Sequence, residues 1–357
     1  MTMRDTRQID LGGVKIGGGA PVSIQSMTNR PSDDAAGTLE QIGRLAAAGC
    51  DIVRVAVPNR ACLPAIRRVC AESPLPVVGD IHFDHQLALA ALEAGCAAIR
   101  VNPGNMLNVS AVREVARRAA ELGRVVRIGV NGGSLSAAAR ERHGHGVEAL
   151  VESALEYVRL FEAEGCTALK VSLKSSDVRV SVEACRRFAE RSDLPLHLGV
   201  TEAGPVSCGV IKSAIGIGAL LLDGIGETIR VSLTADPVEE VRAAKRILAA
   251  CGLREQRPEI VSCPTCGRTR IALLPLVSRV ERAIEELQER GVRFGARRIA
   301  IMGCEVNGPG EAKDADFGIA GGLGKGILFR HGEKVRDVPE DRLFETLMDE
   351  LMATALS

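Results

Sequence analysis

Three of the eleven cysteines stand in a spacing that could do chemistry. SCPTCGR (262–268) puts Cys263 and Cys266 in a C-x-x-C arrangement. IMGCEVNGPGE (301–311) puts Cys304 seven residues before Glu311, in a run of glycines around Pro309. A C-x-x-C pair with one distant thiol gives three thiolates, one short of a closed tetrahedral site. Glu311 can be the fourth ligand, because NGPGE turns the chain back toward Cys304. The glycines let backbone N–H groups approach a sulfur closely. Four readings stand side by side. A structural zinc site wants a fourth Cys or His, and His331 falls in a later turn. A thioredoxin-type dithiol suits Cys263 and Cys266 but leaves Cys304 unexplained. Thiols that hold no metal would be plain packing. A [4Fe–4S] cluster with one iron on a hard oxygen ligand uses all four residues. Cys50, Cys70, Cys96, Cys166 and Cys185 stand apart in apolar or helical surroundings and read as small buried hydrophobes.

A second set of reactive residues lies upstream, on elements of one repeated kind. From residue 20 to about 250, short β-branched runs alternate with Ala/Leu/Glu/Arg-rich amphipathic helices. Eight strand-like runs occupy 21–29, 51–58, 76–83, 97–104, 124–131, 168–176, 196–204 and 227–235. Gly49, Gly95, Gly123 and Gly165 close helices between them as left-handed caps. Eight such units predict an α/β fold, a (β/α)8 TIM-type barrel. A doubly wound open sheet has fewer strands, and no G-x-G-x-x-G follows the first one here.

Strands of a parallel barrel are buried on both faces and should read as apolar runs. These carry charge. With side chains alternating in period two, Arg100 shares a face with Asn102, Arg127 with Asn131, and Lys170 with Ser172 and Lys174. Arg230 shares one with Ser232, and Asp80 with His82; Arg54 interrupts IVRVAV. Uncompensated charge inside a barrel costs several kcal/mol. Either Asp80 and Glu202 neutralise these cations, or the cations converge at the C-terminal mouth on an anionic ligand such as a phosphate or diphosphate. Beside Asp80, His82 reads as an oriented acid.

Past residue 252 the pattern changes. The barrel is assigned residues 1–252 as the substrate-binding domain, and a smaller α+β domain residues 253–357 as the cluster-binding one. A charged linker, LREQRPE, precedes the C-x-x-C segment. A helix with Leu273, Val277, Val280, Ile284 and Leu287 on one stripe follows, then a strand into Cys304, a hairpin turning at HGE, and a final helix near Pro339. The 45 basic and 45 acidic residues leave no net charge, against a nucleic-acid or membrane-surface role. One Tyr and no Trp argue against stacking on bases. No apolar stretch reaches the roughly 18 residues of a membrane span, and MTMRDTRQIDLGG has no signal-like core, so a cytoplasmic protein is expected.

SCPTCGR (262–268) and MGCEVNGPGEA (302–312) resemble the cluster motifs of the (E)-4-hydroxy-3-methylbut-2-enyl diphosphate synthase family, in its bacterial two-domain form. QSMTN (25–29), GDIHFDHQLALAALEAG (79–95), RVNPGN (100–105), RIGVNGGSL (127–135), LGVTEAG (198–204) and AIGIGALLLDGIGETIRVSLTADP (214–237) extend the resemblance over nearly the whole chain. It implies reductive ring opening and dehydration of 2-C-methyl-D-erythritol 2,4-cyclodiphosphate, a step of the non-mevalonate isoprenoid pathway. Flavodoxin or ferredoxin would deliver two electrons through a [4Fe–4S] cluster. It further implies Cys263, Cys266, Cys304 and Glu311 as cluster ligands, with Glu311 giving way when substrate binds. Arg54, Arg100, Arg127 and Lys174 would hold the diphosphate. Glu202 would be an acid/base or hydroxyl anchor, and Asn131, Thr201 and Ser232 would bind hydroxyls or phosphate oxygens. The family's homodimer, with the cluster domain of one subunit capping the barrel of the other, is expected here. Read from the residues alone, a pterin- or phosphate-binding transferase barrel with a zinc-stabilised appendage remains the competing class.

Overall fold

The computed structural model describes residues 2–81, 84–102, 108–254, 258–305 and 312–356. The chain divides into two compact units, Met1–Arg254 and Glu255–Ser357.

The first unit opens with an antiparallel hairpin, β1 (Ile9–Leu11) and β2 (Val14–Ile16), turned by Gly12 and Gly13 at φ 59° and 95°. A two-residue turn with positive φ at both positions matches the twist of the strands it joins, and glycine adopts it without strain. Eight parallel strands follow: β3 (Ser23–Met27), β4 (Ile52–Ala56), β5 (Val77–Asp80), β6 (Ala98–Val101), β7 (Val125–Asn131), β8 (Leu169–Lys174), β9 (His197–Leu198) and β10 (Thr228–Ile229). Their spatial order is β8-β7-β6-β5-β4-β3-β10-β9. A parallel bridge from Val171 to Leu196 brings β8 to the β9 segment and nearly closes the barrel.

Nine helices accompany the strands among the described residues: α1 (Ala35–Ala47), α2 (Leu63–Glu72), α3 (His85–Glu93), α4 (Val109–Glu121), α5 (Ala137–His143), α6 (Val147–Ala163), α7 (Val178–Arg191), α8 (Val206–Leu222) and α9 (Pro237–Ala250). Asp34, Asp84, Asn108, Asp177 and Asp236 each accept a backbone N–H at a helix start, a cap worth about 1 kcal/mol apiece. The four glycines expected to close helices all have positive φ. The main core fills the layer between strands and helices, where Val53, Val126 and Ile128 meet Ile66, Phe161 and Phe188. A separate apolar floor joins Ile9, Leu11 and Ile16 of the hairpin to Ile52, Val78, Ala98 and Val125. The hairpin therefore plugs the N-terminal end of the barrel. Two residues further up the same strands, the inward positions become Arg54, Asp80, Arg100 and Arg127.

The second unit is built on a mixed sheet ordered β11 (Glu259–Ser262), β13 (Arg298–Met302), β14 (Phe317–Gly321), β15 (Lys325–Arg330) and β16 (Glu333–Pro339). β12 (Arg293–Phe294) pairs with β17 (Ala355–Leu356). Helices α10 (Leu273–Glu289) and α11 (Leu343–Met352) cover one face, with Leu273, Val280, Ile284 and Leu347 in the core. The expected hairpin turns at His331 and Gly332, both at positive φ.

Candidate active site

Strand register sets the inner surface of the barrel. Asp80 pairs with Arg100, Arg100 with Arg127, and Arg127 with Lys170 across β5 to β8, so four ionisable side chains form one continuous inward row. Asp80 serves two of the cations: its Oδ1 stands 3.5 Å from Arg100 Nη1 and 3.8 Å from Arg54 Nη1. Arg54 also lies against the Met27 sulfur, 2.9 Å from Nη2. Arg230 reaches Glu240 at 3.5 Å. Gly129 and Gly199 make room for this crowd. A Cβ on Gly129 would stand 2.9 Å from Arg100 Nε, and one on Gly199 would stand 2.8 Å from Lys174 Nζ.

Among the described residues the charge does not balance: Arg54, Arg100, Arg127, Lys170, Lys174 and Arg230 face this interior, and Asp80 and Glu240 are the carboxylates that pair with Arg54, Arg100 and Arg230. Burial and neighbouring cations act together on Arg54, Arg127, Lys170 and Lys174. Arg54 is pushed down to about 10 by burial, partly offset by Asp80. Arg127 and Lys174 fall well below their ordinary values through burial and then through neighbouring cations. Lys170 does the same through burial and Arg127; it is 0% exposed, and its Nζ has no partner among the described residues. Such a site is relieved by an anion.

His197, also fully buried, identifies its own tautomer. Arg127 Nη1 stands 3.2 Å from His197 Nε2. A guanidinium only donates, so Nε2 accepts and the proton sits on Nδ1. Burial and the charges of Arg127 and Lys174 hold this imidazole neutral. Neither His197 Nδ1 nor the Gln25 amide has a partner among the described residues. His197, Gln25 and Glu240 did not emerge from the sequence. Period two in LHLGVT would have turned His197 inward, whereas nothing local marks Glu240 of α9.

The polar residues expected at the mouth are spread around it. Asn131 ends β7, and its Oδ1 accepts from Gly133 N at 3.1 Å and Ser134 Oγ at 3.0 Å. Ser232 is half-buried just past β10. Thr201 and Glu202 lie beyond β9 in a turn, since that strand spans two residues where 196–204 was expected. A Cβ on Gly199 would come within 2.6 Å of Arg230 O, and the chain leaves the extended path soon after, with Glu202 at φ 55°. A non-glycine residue there costs on the order of 1 kcal/mol and presents an exposed carboxylate at the rim. His82 and Glu311 lie outside the described residues.

In the second unit β11 and β13 run parallel, with Ser262 opposite Ile301. Cys263 and Cys304 therefore follow the same ends of adjacent strands. Gly303 N–H donates to Cys263 Sγ at 3.3 Å, and Arg270 N–H donates to Gly303 O at 2.8 Å, which ties the C-x-x-C loop beside Cys304. Cys304 is buried and Cys266 exposed. Hydrogen bonds from the Arg268 backbone and side chain hold the Cys266 thiol below its ordinary value. Among the described residues no three His, Cys, Asp or Glu side chains stand in a metal-binding arrangement. The donor chemistry nonetheless fits a thiolate-ligated cluster: three free thiols, one already receiving a backbone N–H and one held below its ordinary value by hydrogen bonds.

Residues 6–245 match the GcpE TIM-barrel domain, and residues 259–353 match the GcpE protein C-terminal domain. The chain is 50% identical over 354 residues to the 4-hydroxy-3-methylbut-2-en-1-yl diphosphate synthase (flavodoxin) of Corynebacterium jeikeium (strain K411), covering 99% of this chain and 90% of that one. It is 51% identical over 347 residues to the enzyme of that name from Geobacter sulfurreducens, covering 97% of each. Among solved structures, the dihydropteroate synthase of Thermus thermophilus aligns with a TM-score of 0.51 at 17% identity, over 68% of this chain and 97% of that one. That of Yersinia pestis gives 0.50 at 14%, over 69% and 98%. These two likenesses concern the barrel fold alone and leave the pterin-transferase reading without support. Because both units match and half of all residues are shared with these relatives over nearly the full length, the chain belongs to the GcpE family of 4-hydroxy-3-methylbut-2-en-1-yl diphosphate synthases.

Proposed function

We propose that this chain reduces 2-C-methyl-D-erythritol 2,4-cyclodiphosphate to (E)-4-hydroxy-3-methylbut-2-enyl diphosphate in the non-mevalonate isoprenoid pathway, in the cytoplasm, with flavodoxin as electron donor. The observation that carries the substrate reading is the excess, among the described residues, of inward-facing cations over carboxylates inside the barrel. Arg127 and Lys174 have no carboxylate partner among the ion pairs of the described residues, and they are the first candidates for the diphosphate. Asp80 pairs with Arg54 and Arg100 and orients them. His197, as a neutral acceptor, fixes the Arg127 fork without adding charge. Asn131, Thr201 and Ser232 would bind hydroxyl or phosphate oxygens. Glu202 is the candidate acid/base, and His82 a second one.

Cys263, Cys266 and Cys304, with Glu311, would hold the cluster. When bound, a [4Fe–4S] cluster supplies single electrons at low potential and a Lewis-acidic iron for the departing oxygen. Two electrons and the accompanying protons break the C–O bonds, and one oxygen leaves as water. The thiols and the cations belong to separate compact units, so turnover requires these to meet, which the homodimer reading provides. Its support in the barrel is α8, which exposes Ile211, Ile215 and Leu222. Calorimetric titration of the cyclic diphosphate tests the binding half. Arg127→Met should weaken binding about a hundredfold, as expected for one buried charge-assisted contact. Equal affinity in the variant would remove the barrel interior as the site.

A further inference from the structure

Cys70 and Cys96 stand apart from everything used above. Cys70 is half-buried on α2, and Cys96 is fully buried in the turn between α3 and β6. Their sulfurs are 3.7 Å apart. Arg124, in the turn before β7, acts on both thiols electrostatically, and its buried Nε has no hydrogen-bond partner among the described residues. The hydrogen bond from Cys96 holds the Cys70 thiol below its ordinary value against burial, with the Arg124 guanidinium adding to the effect, while Cys96 is pushed well above. The more accessible sulfur is thus the one favoured as thiolate, beside a cation, with a protonated second thiol at contact distance. These are the parts of a peroxide-reactive thiol and its resolving partner.

We infer that Cys70 and Cys96 form a reversible two-electron modification site, which a peroxide closes to a disulfide and a thiol reductant reopens. The Cys70 thiolate attacks one peroxide oxygen. The O–O bond breaks, hydroxide leaves and takes a proton as water, and Cys70 becomes a sulfenic acid. The Cys96 sulfur then attacks the Cys70 sulfur, the S–O bond breaks, and a second water leaves with the Cys96 proton. Two thiols are oxidised, and one peroxide is reduced to two waters. Closure draws the sulfurs from 3.7 Å to bonding distance. A transient disulfide of this kind is compatible with a reducing compartment, where a permanent one is not.

The sequence allows a clean test. Between Arg68 and Arg100 there is no Lys or Arg, so one tryptic peptide, 69–100, carries both thiols and no other cysteine. The full chain is treated anaerobically with one equivalent of hydrogen peroxide, denatured, alkylated and digested. The expected peptide carries no alkyl label and is about 2 Da lighter than the dithiol. Dithiothreitol treatment before alkylation restores both labels. In Cys70→Ser, Cys96 keeps its label after peroxide. A wild-type peptide with two labels after peroxide, or one gaining oxygen at Cys70 with Cys96 still labelled, would overturn the inference.

Discussion

Lys170→Met isolates the cost of the unpaired charge on which the substrate reading rests. Lys170 is 0% exposed, its Nζ lacks a partner among the described residues, and its strand neighbour is Arg127. Met keeps the length and volume of the side chain while removing the amine. An unsatisfied buried polar group costs about 1–3 kcal/mol. Burying the amine adds about 1.4 kcal/mol for each pH unit by which its folded-state value lies below the unfolded one. The free enzyme should therefore be stabilised at pH 7 by at least about 2 kcal/mol, or about 4–8 °C in the melting midpoint of a unit this size. The sign of the pH dependence is fixed. The folded-state value of Lys170 is lowered, so the unfolded chain binds more protons and wild-type stability rises with pH toward 10.5. The advantage of the variant should shrink between pH 7 and 9.5, because every other titrating group is common to both proteins. Differential scanning fluorimetry across that range reads both quantities. A destabilised variant, or a gap that does not change with pH, would refute the picture of an uncompensated buried cation. The same variant should bind the cyclic diphosphate about tenfold or more weakly.

Asp80→Asn removes the carboxylate that Arg54 and Arg100 share. Breaking a buried pair costs about 3–5 kcal/mol, so a melting midpoint within 2 °C of wild type would contradict that role. Arg4→Ala strips three carbonyl contacts at the end of α7 and leaves the buried Glu227 without its partner at 3.6 Å. About 3 kcal/mol should be lost at pH 8. Glu227 is already raised by burial and rises further in the variant, so its protonation should recover part of that loss toward pH 5; urea titrations at both pH values check this. Cys304→Ser should abolish bound iron and sulfide, whereas Glu311→Ala should keep much of both and lose turnover. Full iron and sulfide in the first variant, or normal turnover in the second, would displace those residues from the cluster.

The fold was legible where local chemistry repeats. Each barrel strand announced itself by β-branched residues and a polar end, and α1, α3, α4 and α6 by the glycines that close them. The cations were legible too, because period two turns Arg100, Arg127 and Lys170 inward together. What stayed hidden depends on contacts between distant segments. The hairpin at 9–16 is short, and only the barrel it plugs gives it meaning. β9 stops after two residues, and a Cβ on the next one, Gly199, would meet Lys174 and the Arg230 carbonyl, a closeness no window of sequence contains. Glu240 pairs with Arg230 from a helix, and the parallel pairing of β11 with β13, which sets Cys263 beside Cys304, crosses 39 residues.

The central claim is that electrons from reduced flavodoxin, passed through a centre that Cys263, Cys266 and Cys304 would hold, reach a diphosphate in the barrel, and turnover tests it most directly. Anaerobically purified full chain, assayed for iron and sulfide, is given reduced flavodoxin and 2-C-methyl-D-erythritol 2,4-cyclodiphosphate, and the phosphorus NMR spectrum is followed. About four irons per chain and conversion of the cyclic diphosphate to an open-chain allylic diphosphate are predicted. Iron-replete protein that binds the cyclic diphosphate and returns it unchanged, with flavodoxin still reduced, would contradict the account.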